Sequence, residues 1–94
     1  MNAGDRRCVM VRVTGHVQGV GFRQWTVRQA ERLGLEGWVR NQPDGSVKAV
    51  IAGGEAAISA MLEAFMQGPD FATVTDVMWE HGEDVGLSGF RIAP

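Results

Sequence analysis

The chain has 94 residues, 45% hydrophobic and 21% charged, with 13 glycines and a formal net charge of −2; at a mean hydropathy of −0.07 these values fit a globular domain and exclude disordered and fibrous classes. A fold of this mass exposes roughly 5,300 Å² against about 14,800 Å² unfolded, enough burial for one modest core. No apolar run approaches the ~18 residues of a membrane span and Met1 to Arg7 is too polar for a signal peptide, so the expectation is a cytoplasmic protein with a tail over residues 1–7 and a single domain over residues 8–94.

Cys8 to Thr14 alternates with Val9, Val11 and Val13 on one face and predicts a first strand with Cys8 buried in it. Glycines follow at 15, 19 and 21, and apolar residues at 22, 25, 30 and 33 then predict a helix closed by Gly34. Leu35 to Asn41 and Ser46 to Ala52 flank Gln42-Pro43-Asp44-Gly45, and Asp-Gly between apolar runs predicts an antiparallel hairpin. Ile58, Met61, Leu62 and Phe65 fall at helical spacing and predict a helix from Glu55 to Met66, ended by Gln67-Gly68-Pro69. Thr73 to His81 reads as a strand, and Gly89-Phe90-Arg91-Ile92 as a brief final one. The order β-α-β-β-α-β is that of a ferredoxin-like α+β sandwich, an antiparallel sheet with two helices on one face. Trp25 and Trp38 are expected to help bury the helix and the second strand. No linker and no low-complexity segment divides the chain.

Little in the composition points to metal or covalent chemistry. Cys8 is the single cysteine, and with only His16 and His81 beside it no zinc spacing is possible. No Ser/His/Asp or Cys/His arrangement and no carboxylate cluster with metal-like spacing occurs. Charge, however, is uneven: residues 1–48 carry eight Arg/Lys against four Asp/Glu, and residues 49–94 one Arg against seven acids. An anion site therefore belongs in the first half.

Gly15-His16-Val17-Gln18-Gly19-Val20-Gly21-Phe22-Arg23 joins a strand to a helix start, where unpaired N–H groups and the helix dipole favour an anion. Gly19 and Gly21 permit the curled backbone of such a nest; the plain alternative is a flexible connection. Arg23 in a first helical turn opposes the dipole, a mismatch an oxyanion would remove, and its fork suits phosphate; the alternative is a solvated surface arginine. The third glycine of a dinucleotide fingerprint is missing, as is any nucleotide P-loop. Aromatic strand motifs for RNA are absent, and the net charge disfavours nucleic acid generally. Asn41, entering the hairpin, is either a turn former or a carboxamide able to hold a water beside an anion; it can orient a nucleophile but has no proton to titrate. His16 borders the loop and His81 ends a strand, neither with a catalytic case.

Gly15 to Arg23 followed by Gly37-Trp38-Val39-Arg40-Asn41 closely resembles the acylphosphatase family. The resemblance runs on through Asp44-Gly45, Val47, Gly53, Gly68-Pro69, Ala72, Val74 and Gly89-Phe90-Arg91-Ile92 without a large insertion, nearly the whole chain. It implies a small ferredoxin-like enzyme that hydrolyses the carboxyl–phosphate bond of acyl phosphates with no metal or organic cofactor. By the same resemblance Arg23 is the phosphate-binding arginine, the amides of Gln18, Gly19, Val20, Gly21 and Phe22 form the phosphate cradle, and Asn41 holds the attacking water. Thr26 matches a hydroxyl residue placed to support Asn41, and His16 stands where many members carry arginine.

That chemistry is consistent with the residues present, because the leaving carboxylate belongs to an acid with a pKa of about 4.3 and needs no general acid. Phosphoryl transfer rests on positioning and charge stabilisation, which an arginine and an amide nest supply. Two other readings stand beside it: a phosphate-binding module without turnover, and a regulatory or RNA-binding domain using the open sheet face. The expected partner is a small acyl phosphate, with no nucleic acid or membrane, and the expected state is a monomer.

Overall fold

Alternation at Val9, Val11 and Val13 places three buried valines on one face of the first strand, β1 (Arg6–His16). The structure, a computed structural model, describes residues 6–94. After β1 come α1 (Phe22–Arg32), β2 (Glu36–Asn41), β3 (Val47–Gly54), α2 (Glu55–Gln67), β4 (Thr73–His81) and β5 (Phe90–Ile92). β1 starts two residues before the strand read from sequence, at Arg6, which pairs with Gly54.

The five strands lie in the order β4-β1-β3-β2-β5. Four pair antiparallel as expected, but β5 runs parallel to β2, with Phe90 opposite Gly37 and Ile92 opposite Val39. The sheet is therefore mixed. The pairing is closed by Gly37 N–H to Gly89 O and Ala93 N–H to Val39 O, each 2.8 Å, long-range bonds that a three-residue run does not announce.

Both helices pack on one face. Val9, Val11, Val13, Val39, Val47, Ala49 and Ile51 from the sheet meet Phe22 and Ala30 of α1 and Ile58, Met61 and Phe65 of α2. Phe22, Trp25 and Phe65 join the helices, with ring centroids 5.2 to 6.2 Å apart. On the other face Cys8, Val50 and Ala52 form a smaller cluster under Met10, Trp38 and Leu87. Cys8 is thus a buried strand residue, and Trp38 sits on the helix-free side, under the Arg40 guanidinium at 4.9 Å. Leu35 N–H bonds back to Ala30 O, so β2 begins one residue later than its apolar pattern suggests. No helix among the described residues is long and apolar enough to cross a membrane.

Gly37 is fixed by crowding. It has φ +142°, and a Cβ there would lie 1.8 Å from Val50 O, so alanine would push β2 away from β3. Gly37→Ala is expected to lower stability by about 3 kcal/mol or more, read as a shift of the urea midpoint.

Arg6 ties three segments together through Glu36 of β2, Asp84, and the Leu87 carbonyl at 3.2 Å. Hydrogen bonds from Arg6 hold both carboxyls below their usual range, helped by Gly89 N–H at Glu36 and Gly86 N–H at Asp84. A carboxyl depressed by folding contributes stability above its unfolded pKa and loses it as pH falls through the folded value. Arg6→Ala is therefore expected to destabilise the protein at pH 7 and to leave a smaller loss of melting temperature below about pH 4.

Candidate active site

The segment between β1 and α1 is anchored from beneath and open above. Val17 and Phe22 are buried and Val20 packs on the core, while Gly19 and Gly21 are exposed. Both glycines adopt left-handed backbone, φ +74° and +79°, the conformation from which anion-binding nests of successive amides are built. Gly21 caps α1 without a side-chain bond, and the first backbone bond of the junction is Trp25 N–H to Gly21 O at 3.1 Å. Among the described residues, the N–H groups of Gly19 to Gln24 have no protein acceptor. A helix start with this many free donors attracts an anion.

Arg23 follows immediately, half-buried as the second residue of α1. The first turn of α1 holds no acid, and among the described residues no carboxylate lies within ion-pair distance of Arg23. Its charge adds to the field of the amides instead of being neutralised.

Asn41 ends β2 opposite Val47, which in turn pairs with Val13 near the end of β1. Two residues after Val39 on the same strand, Asn41 shares the helix-bearing face. Its Oδ1 is buried and has no hydrogen-bond partner. Such an orphan acceptor costs about 1–3 kcal/mol unless a donor meets it.

Gln18 brings the loop and the hairpin together. Its Nε2 donates to Gln42 O and to Ser46 O, each at 2.9 Å, so the cradle is fastened to the residue next to Asn41. The turn itself is closed by Asp44, which accepts from Ser46 N–H at 2.9 Å and Ser46 Oγ at 2.6 Å and pairs with Arg12. Among the described residues no hydrogen bond joins Thr26 to Asn41, the support the resemblance implied. Thr26 is fully buried and donates its proton to Phe22 O at 2.9 Å, steadying the first turn of α1 instead.

Comparisons with known proteins identify the family. An acylphosphatase family model matches residues 9–92. The chain is 56% identical over 89 residues to an acylphosphatase of Sinorhizobium medicae, covering 94% of this chain and 95% of that one. This chain belongs to the acylphosphatase family. It is an enzyme of that type. The solved structure of an acylphosphatase from Coxiella burnetii matches it with a TM-score of 0.93 at 37% identity, over 99% of this chain and all of the other. The acylphosphatase of Bacillus subtilis matches with a TM-score of 0.89 at 35% identity, over 93% of this chain and 98% of the other.

Within this acylphosphatase fold the remaining candidates are peripheral. His16 is exposed at the end of β1 and His81 lies edge-on to Trp79 at 5.6 Å. No group of three or more His, Cys, Asp or Glu residues converges among the described residues. A depression of about 330 Å³ lies on the helix-free face beside Met10, Arg12, Lys48 and Met78. Sequence reasoning named Gln18 for its backbone amide alone and did not single out Phe71. The Gln18 side chain carried no signal beyond its place in the motif, whereas Phe71, in the Gly68-Pro69-Asp70-Phe71 turn, was visible as a large apolar residue in a loop.

Proposed function

We propose that the enzyme hydrolyses the carboxyl–phosphate bond of acyl phosphates, releasing a carboxylate and inorganic phosphate. The amides of Gln18 to Phe22 and the Arg23 guanidinium hold the phosphate oxygens, and Asn41 positions the attacking water. The observation that carries this reading is the buried, unpartnered Oδ1 of Asn41, next in the chain to Gln42, whose carbonyl accepts from Gln18 of the amide loop. A water that donates one O–H to Oδ1 satisfies that acceptor and keeps a lone pair free to attack phosphorus. Charge developing on the equatorial oxygens falls on donors already in place, so little reorganisation is needed.

No titratable base is required of Asn41, because a phosphate oxygen takes the proton of the water as the P–O bond forms. The leaving carboxylate departs without a general acid, its parent acid having a pKa of about 4.3. A phosphate-binding module without turnover would use the same loop but would have no use for a positioned water, and the orphan acceptor favours catalysis. The proposal extends to a cytoplasmic monomer that takes a small acyl phosphate and neither nucleic acid nor a metal or organic cofactor.

Release of inorganic phosphate from benzoyl phosphate, with EDTA present, tests the proposal. Turnover by the wild type that is lost in folded Arg23→Ala and Asn41→Ala is the expected result. Phosphate binding without turnover would instead favour the binding module.

A further inference from the structure

Phe71 is 59% exposed, a large aromatic that the core does not use. It nevertheless stands against the cradle, its Cε2 lying 3.6 Å from where a Cβ on Gly21 would be. The turn that carries it is held in place. Pro69 is buried, Ala72 N–H donates to Pro69 O at 3.0 Å, and Gly68 packs so closely that a Cβ would meet Val74 at 2.9 Å and the Phe22 ring at 3.8 Å.

Sheet order sets where this ring stands relative to the cradle and to Asn41. The cradle follows β1, with β4 on one side and β3 then β2 on the other. Thr73, two residues after Phe71, pairs with His16 at the cradle's entrance, whereas Asn41 lies two strands away in the opposite direction. Attack at phosphorus is in line, so the leaving oxygen departs on the side opposite the water. With the water at Asn41, the acyl group is directed toward β4 and Phe71.

We propose that Phe71 is a specificity residue, an apolar rest for the acyl group that makes the enzyme prefer acyl phosphates with an aromatic or long aliphatic body. This rests on the proposed hydrolysis and deepens it, because a site gripping only the phosphate would treat all acyl groups alike. Apolar area on the leaving group is buried against the ring as it departs, while a methyl group is too small to reach it.

The test compares kcat/KM for acetyl, butyryl and benzoyl phosphate in the wild type, Phe71→Ala and Phe71→Leu. In the wild type the value should rise along the series. Phe71→Ala should lower the benzoyl-to-acetyl ratio by about five- to tenfold, and Phe71→Leu by less, since it keeps an apolar surface. Inhibition by inorganic phosphate should be the same in all three. A flat wild-type series, or a ratio unchanged in the alanine variant, overturns the role of Phe71 and leaves hydrolysis standing. A wild type that hydrolyses none of the three overturns the hydrolytic reading as well. Because the side chain lies outside the core, both variants should keep the wild-type melting temperature.

Discussion

Replacing Arg23 by alanine is expected to lower kcat/KM for an acyl phosphate by about 1,000-fold or more and to abolish inhibition by inorganic phosphate, while the protein melts no earlier than the wild type. Loss on this scale is what removal of a charged, pre-placed donor from a phosphoryl-transfer site produces. The stability half of the expectation separates function from folding. Arg23 sits in the first turn of α1, where the helix dipole disfavours a cation, and among the described residues no carboxylate pairs with it. Taking it away removes a mismatch of about 0.3–1 kcal/mol. Arg23→Lys should keep the charge but lose the planar fork, and so recover only part of the activity. Phosphate inhibition that survives in Arg23→Ala would show that the amides alone hold the anion.

The sequence was most legible where local chemistry and pattern coincide. Asp44-Gly45 between apolar runs marked the hairpin, and the stripe from Ile58 to Phe65 marked α2, because each is decided by residues a few positions apart. The parallel pairing of β5 with β2 was not legible. It depends on Gly37 meeting Gly89 across more than half the chain, and three residues hold too little pattern to set a register. Within the site, glycines 19 and 21 were readable as positions free to take positive φ, and their left-handed conformations accord with that. The pairing of Gln18 with the hairpin was not, since a glutamine reaching two carbonyls 24 and 28 residues away leaves no local trace. The hydrogen bond of Thr26 also differs from the one the resemblance implied. A helical hydroxyl finds the carbonyl four residues back more readily than a distant partner, and here it does so.

Asn41→Ala is expected to separate chemistry from binding. If Asn41 only positions the water, its removal should lower kcat by about 100- to 1,000-fold, while the inhibition constant of inorganic phosphate moves by no more than a few-fold. An effect confined to kcat identifies an interaction made only as the reaction proceeds. The fold should tolerate the change to within about 1 kcal/mol, because the Oδ1 that disappears is an acceptor with no partner, and deleting an unsatisfied group relieves a desolvation penalty. Asn41→Asp makes the complementary case. It keeps the size and an oxygen at the same place but sets a negative charge beside the phosphate, so it should impair phosphate binding as well as turnover. Should Asn41→Ala weaken phosphate inhibition as severely as Arg23→Ala does, Asn41 would belong to the phosphate cradle itself, and the water would need another holder.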